Sequence, residues 1–166
     1  LLQAAALLKA RPGGERIRLL LLGDGARKAD LKAEAARLAL DNVIFVDSVP
    51  KEQVARYWSL LDVSVIHLRR IELFTTVIPS KLFECMGMGI PVLHGVEGES
   101  AEIVRTEGVG FVFEPENAEE LTALLLRLQD DPATLAAYRQ RCRDSASRYD
   151  RTALALSMLN IGRGTL

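Results

Sequence analysis

Short, largely apolar runs alternate along this chain with longer stretches of mixed polarity. Each run is bounded by Gly, Pro, Asp or Asn, the residues that end regular structure. A short apolar run between such boundaries predicts a buried β-strand. The strands predicted in this way are 17–22, 43–46, 63–68, 91–94 and 110–113.

The stretches between these runs are rich in Ala, Leu, Lys, Arg and Glu, which are good helix formers. They predict an opening helix, helices over 27–39, 51–61, 80–88 and 100–107, and helical sequence to the end with a break near Asp131 and Pro132. The segment 69–79 has no clear periodicity and predicts a loop. Alternating strands and helices predict an α/β fold, a doubly wound parallel sheet with right-handed crossovers and a helical C-terminal tail. Continuous apolar strands indicate a sheet buried on both faces.

Composition removes several classes of function. The chain has 166 residues, with 21 Lys and Arg against 22 Asp and Glu, so the basic excess typical of nucleic-acid binding is missing. No apolar run reaches the roughly 18 residues of a membrane span, and no signal-peptide pattern opens the chain. The two cysteines, Cys85 and Cys142, follow no metal or redox spacing. We therefore expect a reduced, cytoplasmic protein forming one domain over 1–166.

The pattern of the first eight residues predicts a helix that has already begun at residue 1. They contain neither an initiator Met nor an N-cap residue before the apolar pattern begins. This start predicts that the chain is part of a longer protein.

The carboxyl ends of the strands are where an open parallel sheet binds ligands. Gly23-Asp24-Gly25 follows the first strand, but Lys28 occupies the position of the third glycine of a dinucleotide fingerprint. A nicotinamide-dependent enzyme is therefore disfavoured. Two interpretations of Gly23 and Gly25 stay open. They close a tight turn, or their bare backbone lets a phosphate or base approach closely.

The segment 79–92 contains the richest set of candidate residues. Ser80 is predicted as the N-cap of a helix whose backbone N–H groups favour an anion. Glu84 follows one turn later, where a carboxylate can accept two hydrogen bonds from a vicinal diol such as ribose. The competing interpretation makes Glu84 a solvated helix residue, and the residues alone do not decide between the two.

Several sequence blocks, taken in order, resemble the C-terminal half of a family 4 glycosyltransferase with the GT-B fold. The resemblance is strongest to bacterial enzymes that build O-antigen or capsular polysaccharide, in the manner of the fucosamine transferases. It covers nearly the whole chain to about residue 130, and its most specific part is Pro-Ser-Lys-x-x-Glu followed by Gly-x-Pro-Val. The matching blocks are 23–25, 43–45, 79–84, 89–92 and 95–99.

The resemblance implies a Rossmann-like domain that binds a nucleotide-sugar donor, usually a UDP-sugar. Glu84 matches the glutamate that holds the ribose hydroxyls, and Ser80 and Lys81 match the helix start that meets the diphosphate. Val49 matches a position whose backbone reads the base, and the loop through Gly23 and Gly25 would line the same cleft. The family retains anomeric configuration and needs no obligatory metal or other cofactor. Its acceptor here would be a lipid-linked glycan, at the inner face of the membrane.

Two departures from the family pattern limit the assignment of the sugar. Thr76 stands where the family usually has a first glutamate, and Glu72 is the nearest upstream carboxylate. The basic pair for the diphosphate, the first strand and the acceptor-binding half would precede this chain. We therefore expect no transferase activity from this stretch alone. In the family's strand order, that first strand separates 17–22 from 63–68.

The remaining candidates have a structural and a functional interpretation each. His67 and His94 fall near strand ends, and His94 is the better candidate to line the cleft because Gly95 follows it. Ser100 is predicted as the N-cap of the next helix. A nucleotide-sugar epimerase of the same architecture and a non-catalytic nucleotide-binding module stay open as alternatives to sugar transfer.

Overall fold

A computed structural model of the chain describes residues 1–68, 70 and 77–149. Helices and strands alternate as predicted. The helices are α1 (Leu2–Lys9), α2 (Lys28–Arg37), α3 (Lys51–Trp58), α4 (Ser80–Met88), α5 (Glu99–Glu107), α6 (Ala118–Gln129) and α7 (Pro132–Ala146), and the strands are β1 (Leu19–Leu22), β2 (Val43–Val46), β3 (Ser64–His67), β4 (Val92–Gly95) and β5 (Gly110–Val112). All strand pairs are parallel. The predicted α/β fold class is confirmed.

The chain divides into two compact units, each made from two separate stretches of sequence. Unit 1 comprises residues 1–60 and 116–132, and unit 2 comprises the described residues of 61–115 and 133–149. Each unit has its own sheet, with strand order β1-β2 in unit 1 and β3-β4-β5 in unit 2.

Unit 1 is built on the pairing of β1 with β2, in a register that sets Leu19 opposite Val43 and Leu22 opposite Val46. Helix α1 packs against α6, which comes more than 100 residues later. The α6 helix begins at Asn117, whose side-chain oxygen accepts a hydrogen bond from the N–H of Glu120 at 3.0 Å. This cap satisfies one of the N–H groups that every helix start leaves without a backbone partner.

Unit 2 has β4 at its centre, and all four residues of this strand are buried. Its hydrogen-bonded neighbours are β3 and β5. Gly110 lets β5 lie close to β4, because a Cβ at this position would fall 1.9 Å from the carbonyl oxygen of Val92. A side chain there is therefore incompatible with this pairing.

Burial differs between the central strand β4 and the strands at the sheet edges. The central strand β4 is enclosed, as its apolar sequence predicts. Strands β1 and β2 are only partly buried, and Leu22 and Ile44 are 37% and 45% exposed. The prediction that both faces are covered is therefore confirmed for β4 and wrong for the other four strands, each of which lies at the edge of its sheet in the described residues.

The predicted strand between 17–22 and 63–68 would precede this chain and stays a prediction. Strands β1 and β3 lie in different sheets and do not pair with each other. Within the described part of the chain, no helix combines the length and apolar character needed to cross a membrane.

Candidate functional site

Helix α4 carries the residues with the clearest candidate chemistry. It follows β3 in the chain and packs against it, so its start belongs to the carboxyl edge of the unit 2 sheet. Its N-cap is Pro79, with φ −62° and ψ 126°, and the N–H of Leu82 donates to the Pro79 carbonyl at 3.0 Å. Ser80 is therefore the first helical residue, and the prediction that it is the N-cap is wrong. Pro79 already has the extended backbone that an N-cap requires.

The two sides of α4 have different environments. Leu82, Cys85 and Met86 are fully buried against the core, and burial raises the pKa of the Cys85 thiol to about 11. Lys81 and Glu84 are exposed. The core contacts fix the rotation of the helix about its axis and hold Glu84 on the accessible side, one turn from Ser80.

Between β4 and α5 lies a second loop on the same edge, and its centre is a buried hydrogen bond. The Nε2 of His94 lies 2.8 Å from the Oγ of Ser100, and both side chains are fully buried. Gly98 is the N-cap of α5, with φ 85° and ψ −148°. Ser100 is therefore the second helical residue, and its prediction as N-cap is wrong because the backbone at Gly98 is one that glycine adopts readily.

His94 is enclosed by protein and orients the start of α5 through Ser100. Burial, and secondarily the charge of Arg105, lowers the pKa of the His94 imidazole to about 4. The ring is therefore neutral at pH 7. Its Nδ1 is buried and has no hydrogen-bond partner among the described residues. A direct contact of His94 with a ligand stays a prediction.

Arg70 joins the loops that follow the three strands of unit 2. Its guanidinium lies 3.4 Å from Glu97, in the loop after β4, and 3.0 Å from Glu114, in the loop after β5. Arg70 itself follows β3. All three side chains are about half exposed, so the ion pairs contribute more to loop position than to stability.

In unit 1, the loops after β1 and β2 are held together by charged and backbone contacts. The Gly23 N–H donates to the Val46 carbonyl at 3.1 Å. The Asp24 carboxylate accepts hydrogen bonds from the Ser48 N–H at 2.8 Å and from Lys28 Nζ at 2.6 Å. These bonds, the one from Lys28 first, lower the pKa of Asp24 to about 2. This network was not predicted, although the spacing of Asp24 and Lys28 is that of an i,i+4 ion pair.

The other predicted residues of unit 1 are close to this network. Gly25 is exposed, and no described atom lies within 4 Å of a Cβ built on it or on Gly23. Gly23 has φ 139°, a conformation that favours glycine. Val49 is half-buried and directly precedes Pro50, the N-cap of α3. The positions of Thr76 and Glu72 lie outside the described residues.

Parallel strands, helix starts at their carboxyl ends and a glycine-containing first loop define a Rossmann-like class of domain. The family model named Glycosyl transferases group 1 matches residues 1–148. The chain belongs to this family.

Two curated relatives and a solved structure illustrate the similarity. An exopolysaccharide phosphotransferase of Streptomyces coelicolor is 26% identical over 145 residues, covering 87% of this chain and 15% of the relative. An amylovoran biosynthesis glycosyltransferase of Erwinia amylovora is 27% identical over 134 residues, covering 80% and 32%. The chain thus spans a third or less of these relatives. The Anabaena protein HepE, solved in complex with UDP, superimposes with a TM-score of 0.78 at 19% identity over 99% of this chain and 44% of HepE. The fold is the Rossmann-like part of the GT-B architecture.

Proposed function

We propose that this chain is the donor-binding part of a retaining family 4 glycosyltransferase of the fucosamine-transferase type. The complete enzyme moves a sugar from a nucleotide-sugar, UDP-linked, to a lipid-linked glycan in the assembly of O-antigen, other lipopolysaccharide or capsule. The observation that carries the proposal is the start of α4, which combines Ser80, Lys81 and the exposed Glu84 within the residues that the family model matches.

The family resemblance implies a role for each residue, and the chemistry of each residue suits that role. The first N–H groups of a helix have no intrahelical acceptor, so those of Ser80 and Lys81 suit the oxygens of a diphosphate. The Glu84 carboxylate accepts the two hydroxyls of a ribose. The backbone of Val49 reads the base, and Gly23 and Gly25 allow close approach.

Sugar transfer from such a donor requires stabilisation of the departing nucleoside diphosphate. The partial positive charge at the start of α4 supplies part of it without reorganisation of the protein. No side chain of α4 has to take or give a proton in this step.

The similar proteins support the proposed donor and the proposed acceptor through different observations. The UDP bound to HepE supports a uridine nucleotide. The polysaccharide roles in the names of both relatives support a glycan acceptor. The family match favours sugar transfer over an epimerase or a non-catalytic module, and over the phosphate transfer named for the Streptomyces coelicolor relative. Because the proposed acceptor is lipid-linked, we also propose that the complete enzyme associates peripherally with the membrane.

A thermal-shift panel on the complete protein tests the donor. We expect UDP-sugars to raise the midpoint of unfolding more than GDP- or ADP-sugars at equal concentration. A ligand at 100 times its Kd stabilises the folded state by about 2.7 kcal/mol. If no nucleotide-sugar shifts the midpoint, the proposal is wrong.

A further inference from the structure

Lys28, at the start of α2, has an environment unusual for a lysine near the surface. Its side chain is only 15% exposed. Its Nζ donates to the Asp24 carboxylate at 2.6 Å, to the Asp47 carboxylate at 2.5 Å and to the Val46 carbonyl at 3.1 Å. An ammonium group has three N–H bonds, so these three acceptors occupy all of them. Lys28 is therefore engaged by protein rather than offered to a ligand.

The three acceptors come from two different loops. Asp24 belongs to the loop after β1, and Val46 and Asp47 lie at the end of β2 and the start of the loop after it. The second oxygen of Asp24 accepts the N–H of Ser48 at 2.8 Å, which closes the connection. The loop 23–25 and the loop 47–49 are thus joined through the Lys28 ammonium and the Asp24 carboxylate, in addition to the bond from the Gly23 N–H to the Val46 carbonyl.

The connection is ionised throughout the neutral pH range. Hydrogen bonding to Asp24 and Asp47 raises the pKa of Lys28, and the same contact lowers that of Asp24. Charge-assisted hydrogen bonds of this kind are shorter and stronger than neutral ones. They also have defined geometry, which suits them to fixing the spacing of two loops.

We propose that Lys28 is a positioning residue for the nucleotide end of the donor site, acting through the backbones of Gly25 and Val49. This inference rests on the proposed function, which assigns those two backbones to the donor. Loops that carry binding groups are mobile unless they are tied down. A protein that holds them in the binding arrangement beforehand avoids the entropy cost of ordering them when the ligand arrives.

The test compares Lys28→Met with Arg37→Met in the complete protein. Lys28→Met keeps the apolar stem and removes the ammonium. Arg37→Met removes one cation from the other end of α2, where the Arg37 guanidinium lies 2.7 Å from the Glu34 carboxylate of the same helix. Calorimetry with UDP is expected to give a Kd about tenfold higher for Lys28→Met, equivalent to about 1.4 kcal/mol. Arg37→Met is expected to bind as the wild type does.

Kinetics separate positioning from a purely structural role. Loss of positioning raises the KM for the donor about tenfold and leaves kcat within about twofold, because Lys28 contacts loops and not the reacting sugar. Lys28→Arg keeps a cation that can donate to both carboxylates but has a different shape, so its Kd is expected to lie between those of the wild type and Lys28→Met. A residue that served stability alone would lower the melting temperature and leave the Kd of the folded protein unchanged.

Two outcomes overturn the proposal, and they are distinguishable. If the wild type binds UDP and Lys28→Met binds it within twofold, Lys28 has no positioning role and the proposed function stands. If the wild type binds no nucleoside diphosphate, the proposed function fails and this inference fails with it. Should Lys28→Met not fold, Asp47→Asn provides the same test at an exposed position, with an expected increase in Kd of about threefold.

Discussion

The aromatic ring of Phe83 stacks on that of Tyr149, with centroids 5.2 Å apart and planes inclined by 26°. Phe83 lies on α4, next to Glu84, and Tyr149 ends the short 3-10 helix that follows α7. The Tyr149 hydroxyl donates to the Glu107 carboxylate at 2.9 Å, and Ser145 and Arg148 donate to the same carboxylate. The end of the described chain is thus attached to both α4 and α5.

Removal of the Tyr149 ring should destabilise unit 2. For Tyr149→Ala we expect a loss of about 1–3 kcal/mol in the free energy of unfolding, because a stacked pair contributes about 0.5–1.5 kcal/mol beyond the area it buries. Tyr149→Phe keeps the ring and loses one hydrogen bond, which costs about 1 kcal/mol. Denaturant unfolding of both variants measures the difference. Equal stability of Tyr149→Ala and the wild type would show that the stacking is incidental.

Substitution of Glu84 should weaken donor binding without unfolding the protein. Its side chain is exposed, so Glu84→Ala leaves the core of α4 intact. The loss of charge-assisted hydrogen bonds to a ribose is expected to cost roughly 1.5–3 kcal/mol of binding free energy. Calorimetry with UDP on the complete protein measures it. Glu102→Ala, which removes another exposed glutamate from unit 2, is the matched control. Identical affinities of the two variants would contradict the role of Glu84.

A methyl group at Gly25 should interfere with a ligand and not with the fold. No described atom lies within 4 Å of a Cβ built there, and the φ of Gly25 is not in the positive range. We expect Gly25→Ala to keep the wild-type melting temperature and to bind UDP more weakly. Gly87→Ala, at an equally open position in α4, should bind normally and gain about 1 kcal/mol of stability from helix propensity. If Gly25→Ala binds as well as Gly87→Ala does, the ligand does not approach this loop closely.

His94 should make stability depend on pH between its ordinary pKa of 6.5 and its lowered pKa of about 4. In this window the unfolded state binds more protons than the folded state, so the free energy of unfolding falls as the pH falls. The expected loss from pH 6.5 to 4.5 is about 2–3 kcal/mol at 1.36 kcal/mol per pKa unit. Urea unfolding at these pH values measures it.

The chain has only one other histidine. His67, which is exposed at the end of β3, is kept in every variant, so that the comparison changes His94 alone. His94→Gln should have a flatter profile above pH 4.5. A wild-type profile that is already flat would mean that buried His94 titrates normally.

Most of the fold could be predicted because the strands are compact apolar runs with strong boundaries. Gly23 ends the run of β1, and Gly110 opens that of β5, so the observed strands agree with the prediction to within two residues. Helix composition likewise predicted α4 at its observed bounds. What composition did not predict is the division into two units, because it depends on contacts between residues far apart in sequence.

The starts of α4 and α5 show why the identity of a residue was not sufficient to predict the N-caps near the candidate site. Ser80 and Ser100 are both residues that favour an N-cap, and in both cases an earlier residue takes that position. The backbone angles of Pro79 and Gly98 decide where the helix begins, and identity alone does not give them. The same limit applies to Lys28, whose second carboxylate partner is 19 residues away in the sequence.

The discontinuity of unit 1 affects how the protein is made on the ribosome. Helix α1 finds its partner α6 only after residues 61–115, which belong to unit 2, have been synthesised. At about 5–20 residues per second, that intervening stretch takes roughly 3–11 s. During this interval α1 has already been translated, with its apolar residues Ala4, Ala5 and Leu8, whereas α6, which packs against it, has not. The packing of α1 against α6, and with it the completion of unit 1, therefore has to wait until residues 118–129 have been translated.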